Sequence, residues 1–290
     1  MKSLIRNPKT PLGLFYSELA KEARCFGPPS IVKPNEISRT LIPQVQKAPF
    51  GPVRRTKPMQ IKVIMFDYDG TLVDYAEARE SSLKVAITAL SLKLGVQEVT
   101  VADAIRRVQE LMERRQMLDR DVWWVEAARE LGHELAQLDA QEITDLYWRE
   151  WKKRSKSFRA SAPILRSLRG MGYRLVMLAN TDGKPGMKMQ RIRQGDLDLS
   201  VFELILIAGD DVPETKPSPL PFLGALRSLG INGSEAIYVG DDARVDVPGA
   251  REAGMFTVIV SRKGLIPDVP PDIVIGELDQ LQHMLAIARL

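Results

Sequence analysis

The run Asp67-Tyr68-Asp69-Gly70-Thr71 sets two carboxylates one residue apart at the end of a short apolar stretch, Ile61 to Phe66. An unbroken apolar run of that length reads as a strand buried in a parallel sheet. Ligands of open α/β sheets bind beyond the carboxyl ends of the strands, so these aspartates stand where chemistry occurs. Carboxylates this close repel unless a cation or a shared proton intervenes, and oxygen-only donors suit Mg²⁺. Further apolar runs also end in polar groups. Asn180 and Thr181 follow Tyr173 to Ala179, Gly209-Asp210-Asp211 follows Leu204 to Ala208, and Asp241, Asp242 and Asp246 follow Ala236 to Val239. Lys216 lies in the loop beyond Leu204 to Ala208. In a doubly wound sheet such strand ends converge on one rim, where Asp67 and Asp241 can hold a divalent cation. Lys216 and backbone N–H groups then face an anionic substrate. A phosphoryl group fits this inventory, because catalysis of its transfer is chiefly positioning and charge neutralisation.

Positioning these groups requires helices between the strands, since parallel pairing needs long, right-handed crossovers. Helical patterns are predicted at Lys184 to Gln194, Pro219 to Leu229, Asp246 to Ala253 and Gln280 to Ala288, with more strands at Phe256 to Val260 and Ile273 to Ile275. The expected fold is α/β, a doubly wound parallel sheet. It is interrupted once. From about 75 to 157 helix formers dominate, with helices expected at Glu77 to Leu94, Ala102 to Leu118, Asp121 to Leu131 and Asp139 to Lys153. That insert has the size of a small bundle. Trp123, Trp124, Trp148 and Trp151 read as its core or as its seam with the main domain.

The composition is ordinary globular, 44% hydrophobic and 27% charged. Residues 1–60 hold 11 of the 41 basic and 3 of the 37 acidic residues, so the basic balance belongs to this extension and the remainder is mildly acidic. The fold itself is therefore not expected to bind nucleic acid. The extension also carries 9 of the 19 prolines, which forbid a long helix. Only Leu12 to Phe26 shows helical spacing, and the extension reads as an irregular tail able to make a weak partner contact. A single cysteine, Cys25, excludes an internal disulfide framework and fits a reducing cytoplasm. No apolar run approaches a membrane span, and the N-terminus lacks the apolar block of a secretory signal. His133 and His283 lie far in sequence from the strand ends, so no histidine triad or zinc site is expected.

Asp67-Tyr68-Asp69-Gly70-Thr71-Leu72-Val73-Asp74, Lys216-Pro217 and Val239-Gly240-Asp241-Asp242 with Asp246 resemble three of the four motifs of the haloacid dehalogenase superfamily, in the family's order. Gly249 to Met255 is similar to the stretch after its last motif. The resemblance covers about residues 61–285. It implies a catalytic core at 61–74 and 158–290, a helical cap at 75–157, and the phosphatase branch that includes phosphoglycolate phosphatases. It also implies Asp67 as nucleophile forming an aspartyl-phosphate, and Asp69 as the acid that protonates the leaving oxygen and then activates water. Mg²⁺ would be held by Asp67, the Asp69 carbonyl and Asp241, with Asp246 close by, while Lys216 neutralises nucleophile and phosphoryl oxygens. Dehalogenases of the superfamily lack the second aspartate, so Asp69 favours a phosphatase acting on a small phosphorylated metabolite. One motif departs: Ala179 stands where a Ser or Thr precedes Asn180, leaving Asn180 and Thr181 as the phosphate-binding candidates. Arg79, at the insert's entry, and Arg154 or Lys156, near its exit, read as solvated helix-end charges, the alternative being that they meet a second anionic group, and Asp210 and Asp211 read as structural. A phosphomutase keeps the same motifs. A degenerate phosphate-binding or scaffold protein is the reading that Ala179 and the basic extension favour.

Overall fold

The computed structural model describes residues 60–264 and 267–288; Cys25 and the helical spacing at Leu12 to Phe26 lie outside them. The chain runs β1 (Val63–Phe66), β2 (Val73–Asp74), α1 (Ala76–Leu94), α2 (Glu98–Arg114), α3 (Arg120–Glu130), α4 (Gln137–Arg154), β3 (Lys156–Ser157) and α5 (Ser161–Gly170). It continues β4 (Arg174–Asn180), α6 (Met187–Arg193), β5 (Leu204–Ala208), α7 (Leu220–Leu229), β6 (Ala236–Gly240), α8 (Ala243–Glu252), β7 (Phe256–Val260), β8 (Ile273–Ile275) and α9 (Gln280–Ala288).

Six strands form one parallel sheet in the order β5-β4-β1-β6-β7-β8. All four β1 residues are fully buried, which is why this strand carries no polar alternation. Phe66 pairs with Met177 on one side and Val239 on the other, so β1 and β6 end within a residue of each other while β4 runs three residues further, to Asn180. The chain fills the β4–β5 side first and then crosses back to β6. Asp67 therefore lies at the point where strand order reverses, the crevice that ligands favour. The sheet core joins Ile64, Phe66, Leu175, Met177, Ile237, Val239 and Val258 to Leu165 and Leu168 of α5 and Leu281 of α9.

Helices α1 to α4 bury a second apolar cluster of their own. Ala86, Leu90, Ile105, Val108, Ile143 and Tyr147 surround Trp123 and Trp124, whose indole N–H groups donate to Met117 O at 2.7 Å and Thr144 Oγ1 at 2.9 Å. Arg154 pairs with Glu77 and Glu150 at this unit's margin, and Arg79 with Glu113, as expected of solvated helix-end charges.

Three differences from the sequence reading bear on the site. The helix expected from Ala102 runs instead from Glu98 to Arg114, because Val101 is buried despite the low helix preference of a β-branched run. Gln116, at φ 56°, ends the turn and frees Met117 to Asp119 as a loop over the strand ends. α8 begins at Ala243, capped by the Asp242 carboxylate on Arg244 N at 3.0 Å, so Asp246 falls within the first turn. Finally, α5 is a helix the sequence reading does not place; Pro163 near its start disguises it, although proline is tolerated in a first turn.

Candidate active site

Lys216 is the hub of the rim. Its side chain is 2% exposed, and its Nζ donates to Asp67 Oδ1 at 2.8 Å, Asp246 Oδ1 at 2.7 Å and the Tyr238 hydroxyl at 2.8 Å. Burial alone would favour the neutral amine; Asp246 and Asp67 outweigh it and hold the ammonium above the usual lysine range. Asp246 Oδ2 accepts from the backbone N–H groups of Asp241 and Asp242 at 3.1 and 3.2 Å, so it braces the loop after β6. Oxygens of Asp67, Asp241 and Asp246 all lie within 4.8 Å of one another. Burial, with Asp67 and Asp246 beside it, pushes the Asp241 carboxyl well above the ordinary range. Three crowded carboxylates with one lysine are short of positive charge, and their hard oxygen donors fit Mg²⁺.

Gly70 sits at φ 80°, where a Cβ would come within 2.0 Å of Asp241 Oδ2. Arg262 fixes the same turn, donating to the carbonyls of Gly70 at 2.5 Å and Thr71 at 3.0 Å while lying 3.4 Å over the Phe158 ring. Gly70→Ala is therefore expected to strain the turn and displace Asp241, lowering kcat/KM at least ~10²-fold. Steady-state assays with circular dichroism, to show a retained fold, check this.

Asn180 and Thr181 are both at the rim but otherwise engaged. The Asn180 amide binds the Lys216 backbone reciprocally, accepting from its N–H at 2.8 Å and donating to its carbonyl at 3.1 Å. Thr181 Oγ1 donates to Asp210 Oδ1 at 2.6 Å and accepts from Gly183 N at 3.1 Å. Ala179 is fully buried and pairs with Ile207 within the sheet. Asp210 thus serves Thr181 and Gly186 N, and Asp211 accepts from Ile207 N at 2.8 Å, both structural contacts.

Asp69 is gripped by two cations of α6. Arg191 donates to its two oxygens at 2.7 and 2.5 Å, and Lys188 to Oδ2. The same cations bind Asp182, Arg191 through Nε at 2.9 Å and Lys188 at 3.4 Å. Burial would raise the Asp69 pKa, but Arg191 and then Lys188 overcome it and hold the carboxyl well below the usual range. Sequence reasoning assigned no role to Lys188, Arg191, Asp182 or Tyr238. The signal was present only as two cations three residues apart on a charged helix, which share one helix face.

The rim aspartates, Lys216, Asn180 and Thr181, and the cluster of Asp69, Asp182, Lys188 and Arg191 line a cleft of about 230 Å³ together with Tyr75, Leu118, Arg120, Trp148 and Trp151. Trp148 and Trp151 are thus at the seam between the helices and the sheet, whereas Trp123 and Trp124 are core. Arg120 Nε and the indole N–H groups of Trp148 and Trp151 are buried without an acceptor among the described residues. A buried donor left unpaired costs about 1–3 kcal/mol. Larger clefts exist, but the one of about 650 Å³ between α5 and the loop before α9 contains none of the rim residues.

The sequence model of the haloacid dehalogenase-like hydrolases matches residues 61–254. The chain belongs to that family. This haloacid dehalogenase-like hydrolase is 27% identical over 248 residues to a glyceraldehyde 3-phosphate phosphatase of Methanopyrus kandleri, covering 79% of this chain and 97% of that one. It is 28% identical over 204 residues to a phosphoglycolate phosphatase of Neisseria gonorrhoeae, covering 69% and 80%. Among solved structures, the haloacid dehalogenase-family phosphatase of Thermococcus onnurineus superposes with a TM-score of 0.58 at 27% identity, covering 78% of this chain and 98% of that one.

Proposed function

We propose that this hydrolase is a Mg²⁺-dependent phosphatase of small phosphorylated metabolites that works through an aspartyl-phosphate on Asp67. The observation that carries this reading is the convergence of Asp67, Asp241 and Asp246 around Lys216, with Asp69 beside them in one small cleft. Asp67, Asp241 and the Asp69 carbonyl would hold the ion, with Asp246 behind them; when bound it supplies charge neutralisation for the transferring phosphoryl group. An Asp67 oxygen attacks phosphorus as the ester P–O bond breaks. Lys216, paired with Asp67, offsets charge at the attacking oxygen. The leaving oxygen takes its proton from Asp69. Water then attacks the acyl-phosphate, gives its proton to Asp69, and frees Asp67 and inorganic phosphate.

This cycle requires Asp69 to leave the grip of Arg191 and Lys188, since a carboxylate held by both carries no proton. Substrate entering the cleft competes for those cations and releases it. Helices α1 to α4 act as a cap over the rim. They meet the sheet unit where Lys184 pairs with Asp121 at 2.6 Å, Thr215 donates to Gln116 Oε1 at 2.9 Å, and Gly183 leaves no room for a Cβ beside Asp119 N. Asn180 then serves to position Lys216, and Thr181 to shape its loop. Among the described residues no single helix is long and apolar enough to cross a membrane, and we assign the enzyme to the cytoplasm.

Phosphate release from a panel of small phosphomonoesters, with Mg²⁺ and with a chelator, tests the reading. Expected is turnover that stops on chelation and returns with Mg²⁺. Isomerised substrate without free phosphate would indicate a phosphomutase, and binding without any turnover a phosphate-binding protein.

A further inference from the structure

The turn at Gly70 and Thr71 touches Asp241 twice. Gly70 leaves no room for a Cβ beside the Asp241 carboxylate, and the Thr71 hydroxyl lies 3.5 Å from Asp241 Oδ1. Asp69, whose carbonyl is one of the ion ligands proposed above, directly precedes the turn. A glycine at φ 80° restrains its own backbone weakly, so a turn that places ligands needs a hold from outside. Arg262, in the loop after β7, supplies it. Its Nη1 donates to Gly70 O at 2.5 Å and its Nη2 to Thr71 O at 3.0 Å, so one planar fork serves two successive carbonyls.

The remaining contacts of Arg262 lie at the root of the helical unit. Its guanidinium carbon stands 3.4 Å over the Phe158 ring, and its Nε is 3.3 Å from Glu277 Oε2. Phe158 directly follows β3, and its N–H donates to Leu72 O at 3.1 Å, the oxygen that also accepts from Ser161 Oγ at 2.7 Å. β2 and β3, by which the chain enters and leaves α1 to α4, pair at Val73 with Ser157 and at Asp74 with Lys156. Resting on the Mg²⁺ site of the phosphatase reading above, we infer that Arg262 is a positioning residue for that site. It fixes the turn after Asp69 against Asp241, and Phe158, at the root of the helical unit, holds the guanidinium in place to do so. Arg262 does not line the cleft, and it acts through the two carbonyls it binds.

The test measures Mg²⁺ binding by isothermal titration calorimetry, without substrate, alongside Tm and phosphate release, using the full chain. Arg262→Met keeps the stem and removes the fork; its Kd for Mg²⁺ is expected to rise at least ~10-fold, the usual scale for a group that orients metal ligands without touching the metal. Arg262→Lys is expected to recover little, because a point charge cannot span two carbonyls and stack on a ring. Phe158→Leu, which keeps apolar bulk and removes the ring, is expected to raise Kd several-fold. Arg174→Met is the control for stability alone. Arg174 joins Glu203 and Leu229 O at the end of β4 away from the rim, so its loss is expected to lower Tm and leave Kd unchanged. A Kd unchanged in the folded Arg262 variants, or raised as much in Arg174→Met, overturns the positioning role and leaves the phosphatase reading in place. A Kd unchanged in Phe158→Leu alone removes Phe158 from that role. Mg²⁺ bound by wild type and weakened in the Arg262 variants, with no phosphate released from any ester, overturns the phosphatase reading and leaves the positioning role standing. A wild type that binds no Mg²⁺ overturns both.

Discussion

Lys216→Met is expected to lose at least ~10²-fold in kcat and to melt on the order of 10 °C below wild type. Methionine keeps most of the stem and removes only the ammonium, so the effect isolates charge. Asp67 and Asp246, both well buried, then face each other without the cation that now touches both. Removing one member of a buried ion pair costs about 3–5 kcal/mol, because the remaining charge is left uncompensated. In a unit of this size each kcal/mol moves Tm by roughly 2–4 °C. Loss of one preorganised charge at the reacting oxygen accounts for the rate. Mg²⁺ is expected to recover part of the lost Tm and to raise it more than in wild type, since a ligand that binds only the folded state stabilises it. Differential scanning calorimetry with and without Mg²⁺ measures both effects. A variant that melts like wild type would mean the carboxylates are accommodated by some other group.

Arg191→Met is the second large effect. The guanidinium side chain is 7% exposed and makes paired contacts with Asp69 and with Asp182, themselves 20% and 5% exposed. Its loss leaves two carboxylates to Lys188 alone, and the expected destabilisation is again about 3–5 kcal/mol. Arg191→Lys rescues little, because a point charge cannot serve two carboxylates in a fork geometry. Asp182→Asn added to Arg191→Met is expected to recover more than half of the loss. Chemical denaturation of the four members of that cycle checks it, and additive losses would show that Arg191 and Asp182 are not coupled.

The residues that were legible in the sequence are those whose signal is local. β5, β7 and β8 lie where apolar runs predicted them; β7 is buried almost throughout, whereas Val274 of the edge strand β8 is exposed, so the run marks the strand without fixing the burial of both its faces. Asp67 and Asp241 were placed at the rim because each directly follows the end of such a run, and Lys216 because it lies in the loop beyond β5. Long-range partners were not legible. Arg191 meets Asp69 across 122 residues and Arg262 meets Gly70 across 192, and nothing near either cation names its acceptor. Asp246 was predicted beside the metal site, but its bonds to Lys216 and to the loop backbone follow from α8 starting three residues earlier than its apolar pattern suggests. Asn180 carried the right address and a different task. Its amide is spent on the Lys216 backbone, a contact made possible by the fold rather than by the motif.

The most direct test of the central claim is to trap the phosphoryl group on the enzyme. Wild-type protein, mixed with a turned-over phosphomonoester and Mg²⁺, is quenched in acid within the first turnovers and digested for mass spectrometry. A phosphoryl group on the carboxylate of Asp67, absent from Asp67→Asn, is the predicted result. Continued phosphate release by Asp67→Asn, with no phosphorylated peptide from wild type, would contradict it and point to direct attack by water.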